Sequence, residues 1–317
     1  VALKEIRAVA RHRPKGVLEI GWAVVESAVA GRKEHVPTSA DYSDTVVRRF
    51  SFLAGGGLGW QLSAIHSPRE KPAPWKIVVV TGAPSWAEYW APAVAALSQD
   101  REMVVVDRPG YAGSEPIEYV GDIRLQASAL SPLLDARPGQ KVLLVGQSYG
   151  AAIATLMAEA NPRKVAGVVL LSGYYGAPGP TARWLLGVGA RLLKLIPRDV
   201  RHAVLEVTDQ PRQLDFMYAA LRRLKVPVHV IHGDKDDFAP IAHAEKLVAE
   251  TGVRRPMRFV RVEGADHFLN DGPVEVLLAE LEACIPARTE FRWPDWARFA
   301  WLKPKVAADA ATLPGTL

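Results

Sequence analysis

The chain has a single cysteine, Cys284, among 317 residues. That excludes an intrachain disulfide and any zinc site built from several cysteines. The thiol is expected to sit inert on a C-terminal helix. The eight histidines are scattered, and none pairs with another at metal-ligand spacing near His267. No run of 18 apolar residues occurs, so no spanning membrane segment is expected. The segment 16–31 is fairly apolar, but Glu19 and Glu26 interrupt it and no small-residue cleavage site follows. A cytoplasmic protein is therefore expected.

A basic field is also missing from the middle of the chain. Residues 1–35 carry seven Lys/Arg against four Asp/Glu, and residues 286–317 carry five against three; together these account for the whole formal charge of +5. The interior is neutral, with no Lys/Arg cluster suited to nucleic acid. The glycine stretch Ala54–Gly59 does not lead from a strand into a helix with dinucleotide spacing, so it is read as a turn rather than a phosphate cradle.

What the chain does have is 49% hydrophobic residues and a regular alternation of short apolar runs with helical patterns. Residues 46–52 and 60–64 fit two strands. Ile77–Val80, Met103–Val106, Val142–Val145, Val165–Leu171, Val226–Ile231 and Met257–Val262 read as buried strands, with helical stretches following most of them. This rhythm predicts a mostly parallel sheet covered by helices on both faces. Residues 1–43 read as an amphipathic helical extension broken near Arg13-Pro14. Residues 44–173 and 225–285 form the core, interrupted by a helical excursion over 174–224 that caps the carboxyl edge. In that excursion Thr181–Ile196 either lines an apolar acyl pocket or packs on the main domain. Residues 286–317 are a tail holding Trp293, Trp296 and Trp301, expected to dock on its own domain or on a second subunit. Monomer and homodimer are both open.

The chemistry centres on Lys141–Gly150, KVLLVGQSYG, an apolar strand followed by a sharp turn and an alanine-rich helix. The glycines at 146 and 150 let flanking elements pass close to Ser148 at the tip. The helix N-terminus behind it offers unpaired N–H groups to a developing oxyanion. A serine hydroxyl needs a base, and the base needs an acid to fix its tautomer. His267, in Glu263–Phe268, is the candidate base and general acid. Asp234, Asp236 and Asp237, just past an earlier strand, are the candidate acids. The order serine, aspartate, histidine suits a nucleophile on such an elbow. Backbone N–H donors for the oxyanion are expected from Tyr149 and from Ala83. His232 is expected to be packed or hydrogen-bonded at a strand end. No metal or organic cofactor is called for.

Taken in order, TGAPSW, DRPGYAGSEP, VGQSYG, HGDKDDFAP and EGADHF resemble the motifs of the α/β-hydrolase superfamily, in its serine-nucleophile, esterase- and lipase-like branch. The resemblance covers roughly residues 75–285. It implies a mostly parallel central sheet flanked by helices, with a helical cap insertion. It selects Asp236 as the acid, three residues after Gly233. Family dehalogenases and epoxide hydrolases carry aspartate where this chain has Ser148, so both are disfavoured. The oxyanion loop departs from the family's H-G-x-P-G: it reads Thr81-Gly82-Ala83-Pro84-Ser85. Asp107–Gly110 matches a structural loop of the family. Trp86, Tyr111, Phe238 and Phe268, with Tyr149, are candidate contacts to a small-molecule substrate. The implied activity is hydrolysis of carboxylic esters of a small to medium, fairly apolar substrate through an acyl-enzyme. C–C bond hydrolysis, or lactonase, amidase, thioesterase or acyltransferase chemistry, is the alternative. A non-catalytic binding protein or scaffold on the same fold is a third.

Overall fold

The computed structural model describes residues 6–9, 47–252 and 257–285. Four consecutive valines or isoleucines have too few polar neighbours to face water, so they must be covered on both sides. Trp75–Val80 (β4) shows the consequence: Val78 and Val80 enter one core cluster, while Ile77 and Val79 enter the other. The same alternation holds for Arg101–Val106 (β5), Lys141–Gln147 (β6) and Val165–Leu171 (β7). With Ile6–Val9 (β1), Arg48–Leu53 (β2), Gln61–His66 (β3), Val228–Gly233 (β8) and Met257–Glu263 (β9), the sheet has the order β1-β9-β8-β7-β6-β4-β5-β3-β2. β3 pairs antiparallel with β5 and β2; every other pairing is parallel. The chain therefore reverses its direction of travel across the sheet between β4 and β6. In open parallel sheets, the carboxyl ends of strands at such a point frame a crevice.

Helices Ala91–Ala96 (α1), Ile123–Leu130 (α2) and Gly150–Ala160 (α3) cover the strands that precede them. Asp122 caps α2 by accepting from the N–H groups of Arg124 and Leu125. The excursion after β7 carries Pro180–Arg191 (α4), Arg198–Asp209 (α5) and Leu214–Arg223 (α6). It divides in two. Met217 and Leu221 of α6 belong to the same buried cluster as α3 and the sheet, so α6 is a covering helix of the core. α4 buries only Ala182 and leaves Trp184 58% exposed, so most of its apolar face lines no core. Ile241–Gly252 (α7) and Val274–Glu282 (α8) complete the layers. Cys284 follows α8 and is buried, and that burial pushes its thiol up to about 12.

One expectation changes at the N-terminus. Ile6–Val9, read from sequence as part of a helix, runs as a strand parallel to β9. An open sheet edge offers a row of backbone partners that outweighs a weak local helix preference. The rest of the N-terminal extension 1–43 lies outside the described residues, as does the aromatic tail 286–317. Among the described residues no helix is long and apolar enough to cross a membrane.

Candidate active site

Ser148 sits between β6 and α3 with φ of +51°, a backbone region that side chains other than glycine seldom enter. The turn holds because its neighbours lack side chains. A Cβ on Gly146 would lie 2.6 Å from the Gly150 carbonyl oxygen, and one on Gly150 would lie 2.3 Å from that of Val80. The Ser148 N–H donates to Leu171 at 2.9 Å, tying the elbow to β7.

The loops after β8 and β9 bring two more side chains to the same edge. The Ser148 hydroxyl donates to His267 Nε2 at 2.9 Å, and His267 Nδ1 donates to Asp236 Oδ2 at 2.8 Å. A nitrogen facing a carboxylate must carry the proton, which leaves Nε2 free to accept. Asp236 Oδ1 accepts from the Phe238 and Ala239 amides at 3.0 and 2.7 Å, and His232 Nε2 lies 3.1 Å from Oδ2. Burial alone would raise the Asp236 carboxyl. The charge of His267 and the hydrogen bonds from His232 and His267 overcome it and hold the acid well below the usual carboxylate range. Burial alone would lower the His267 imidazole. The Asp236 charge and hydrogen bond overcome that too, and the imidazole is raised.

The three candidate acids thus separate. Asp236 faces His267, Asp234 accepts from the Gly264 N–H at 2.8 Å, and Asp237 accepts from the Thr181 hydroxyl. Phe238 stacks on the His267 ring at 5.4 Å and 18°, Phe268 meets it edge-on at 5.5 Å, and Tyr174 does so at 6.3 Å. The imidazole is walled by aromatic groups on several sides. His232 is fully buried and donates to the Ala239 carbonyl, as a packed strand-end histidine should.

On the other side of Ser148 lies the turn after β4. A Cβ on Gly82 would come within 2.9 Å of Ser148 Cβ, so only glycine fits there. The two departures from the family pattern compensate each other. The Thr81 and Ser85 hydroxyls bond to each other across the turn; Thr81 also donates to Val106, and Ser85 accepts from the Arg108 N–H at 2.8 Å. Among the described residues the Ala83 and Tyr149 N–H groups have no backbone acceptor. Two free amide donors beside an activated hydroxyl can stabilise an oxyanion.

Two of the candidate substrate contacts are held by α5. Tyr111 is buried and its hydroxyl donates to Glu206 at 2.6 Å, because α5 packs directly over its loop. Trp86 Nε1 donates to Asp199 of α5 at 2.7 Å. Phe238 and Phe268 remain beside the imidazole. Sequence reasoning passed over Arg108 and Glu206, a fully buried ion pair with Nη1 and Oε1 2.6 Å apart. The only hint was Asp199, His202 and Glu206 recurring on one face of α5. Among the described residues no group of three or more His, Cys, Asp or Glu side chains could hold a metal ion.

Residues 76–205 match the family described as "alpha/beta hydrolase fold". A 2-hydroxy-6-oxononadienedioate/2-hydroxy-6-oxononatrienedioate hydrolase of Dechloromonas aromatica is 36% identical over 98 residues, 31% of this chain. That match spans only 34%, about a third, of the relative's own length. A hydrolase of the same name from Cupriavidus pinatubonensis is 31% identical over 206 residues, covering 53% of this chain and 71% of that one. Among solved structures, an N-formylmaleamic acid deformylase from Pseudomonas putida S16 superposes with a TM-score of 0.60 at 15% identity. It covers 74% of this chain and all of its own, a likeness of fold alone.

Proposed function

This chain belongs to the α/β-hydrolase family, and on that premise we propose that it is a serine-dependent hydrolase of carboxylic esters, acting through an acyl-enzyme on a small to medium, fairly apolar substrate. The observation that carries this is the unbroken path from Ser148 Oγ to His267 at 2.9 Å and on to Asp236 at 2.8 Å. In the cycle, His267 Nε2 takes the Ser148 proton as Oγ attacks the ester carbonyl. The oxyanion rests on the Ala83 and Tyr149 amides. The imidazolium returns its proton to the departing alkoxide, leaving an acyl-serine and a free alcohol. Water then repeats the sequence: it loses a proton to His267, attacks the acyl carbon, and Ser148 leaves reprotonated. Asp236 holds the imidazole in its Nδ1–H tautomer and offsets the charge it gains.

C–C bond hydrolysis is the second reading, favoured by the names of the 36% and 31% identical relatives. Their named substrates are dioates, which call for free cations in the pocket. Arg108, the buried cation at the oxyanion loop, is neutralised by Glu206, and Phe238, Phe268 and Tyr174 surround His267. The aromatic wall supports an apolar acyl group, while Arg183, whose charge acts on Tyr174, is a cation that a dicarboxylate could use. A panel of p-nitrophenyl esters, lactones, thioesters and 2-hydroxy-6-oxo-dienoates separates the two. Highest kcat/KM on an ester of modest chain length, abolished by Ser148→Ala, is the expected outcome. Fast cleavage of the dienoates with negligible ester turnover would replace the first reading by the second.

A further inference from the structure

Arg108 uses all five of its N–H groups inside the protein. Nε donates to the Thr81 carbonyl at 2.9 Å and Nη2 to the Gly82 carbonyl at 2.8 Å. Nη1 donates to Gln126 at 2.8 Å and to Glu206 Oε1 at 2.6 Å, and Nη2 to Glu206 Oε2 at 2.7 Å. Glu206 receives two further hydrogen bonds, from Tyr111 at 2.6 Å and Gln126 at 2.9 Å. Neither charged side chain reaches water. The ring of Tyr149, the residue after the nucleophile, lies 4.8 Å from the guanidinium carbon.

The two backbone acceptors are the carbonyls on either side of Gly82, the residue that faces Ser148. In a trans peptide the C=O and the following N–H point in opposite directions. Fixing the Gly82 carbonyl on Arg108 therefore turns the Ala83 N–H away from the guanidinium, while Gly82 itself abuts Ser148. Among the described residues the Ala83 N–H has no backbone acceptor, so the bond from Arg108 to the Gly82 carbonyl is the hydrogen bond that orients this peptide. A flip of that one plane would remove a donor from the oxyanion position and put a carbonyl there instead. Lysine could not replace the guanidinium, because a point charge cannot bridge two carbonyls and a carboxylate in one plane.

We propose that Arg108 is a positioning residue that sets the orientation of the Gly82–Ala83 peptide for oxyanion binding, and that Glu206 is the clamp through which the excursion helix α5 holds it there. This rests on the serine-hydrolase reading above. α5 also grips the same loop through Asp199, which accepts from the Ala112 N–H at 2.9 Å, and His202, whose Nδ1 lies 2.9 Å from the Gly110 carbonyl oxygen. These contacts tie the excursion to the loop that carries Arg108. A purely structural ion pair would support the fold equally well but would leave oxyanion binding untouched.

The test compares Glu206→Gln and Arg108→Lys with the unaltered chain, each shown to be folded by circular dichroism at the assay temperature. Steady-state rates on the best p-nitrophenyl ester are measured beside the affinity for two inhibitors. One is a trifluoromethyl ketone, which adds Ser148 and forms an oxyanion; the other is the matching amide, which does not. Losing one oxyanion donor lowers kcat by about 10²–10³. A fall in kcat of about 10-fold or more toward that range, with KM and amide affinity little changed and ketone affinity lost in parallel, is expected. Glu206→Asp, which keeps the buried charge, gives the same readout should the other two fail to fold. A folded variant with a lower melting temperature but unaltered kcat and ketone affinity would overturn the positioning role. Failure of a fluorophosphonate to label Ser148 in the unaltered chain would instead overturn the serine-hydrolase reading.

Discussion

Replacing Asp236 by asparagine should change the tautomer of His267 rather than merely remove a charge. Oδ1 accepts from two amides, Phe238 at 3.0 Å and Ala239 at 2.7 Å, so the asparagine oxygen must stay there. The amide NH2 is then forced into the Oδ2 position, facing His267 Nδ1 at 2.8 Å and His232 Nε2 at 3.1 Å. A donor facing Nδ1 drives the imidazole proton to Nε2, which can no longer accept from Ser148. Tautomer loss of this kind lowers kcat by about 10⁴, or about 5 kcal/mol of transition-state stabilisation. The pH profile should move as well. His267 must be neutral to act as a base, and Asp236 raises its pKa above 6.5, so the activity of the unaltered chain is present at higher pH and lost as pH falls through a midpoint above 6.5. Asp236→Asn removes the largest raising influences on His267 and keeps the burial, so the midpoint of the residual activity should move to lower pH than in the unaltered chain. The assay is kcat/KM against pH on one p-nitrophenyl ester. A loss under about tenfold, set against the 10⁴ expected, together with an unmoved midpoint, would refute this role for Asp236.

Gly150→Ala would push a Cβ to 2.3 Å from the Val80 oxygen and 2.6 Å from that of Thr81, and should cost about 3 kcal/mol or prevent folding, read by urea denaturation. Ser85→Ala leaves the buried Arg108 N–H without its acceptor and should cost about 1–3 kcal/mol in the same measurement, whereas an unchanged midpoint would show that the hydroxyl brace is dispensable. Cys284, whose thiol is pushed up to about 12, should resist iodoacetamide at pH 8 in the native protein and react in urea; rapid native labelling would contradict its burial.

Much of this architecture is legible in the sequence because burial on both faces leaves a signature: Ile77–Val80 and Val142–Val145 admit no polar residue. Ser148 and His267 are legible for a related reason, since each follows a strand at the sheet edge where chemistry collects. The candidate acid is less so. Three aspartates lie within four residues of one another, and only the geometry of the turn separates the one facing His267 from those that tie loops. Arg108 and Glu206 are illegible because a buried ion pair 98 positions apart looks, residue by residue, like two solvated charges. α6 reads as part of the excursion until Met217 and Leu221 are found in the main core. Ile6–Val9 follows the sheet edge rather than its local pattern.

The central claim is that Ser148 carries the acyl group during turnover. Acid quench during the first turnover of a p-nitrophenyl ester, followed by peptide mass spectrometry, tests it most directly. One acyl adduct per chain on the peptide containing Ser148, absent from Ser148→Ala, is expected. Continued turnover with no adduct, or with the acyl group on another residue, would contradict it.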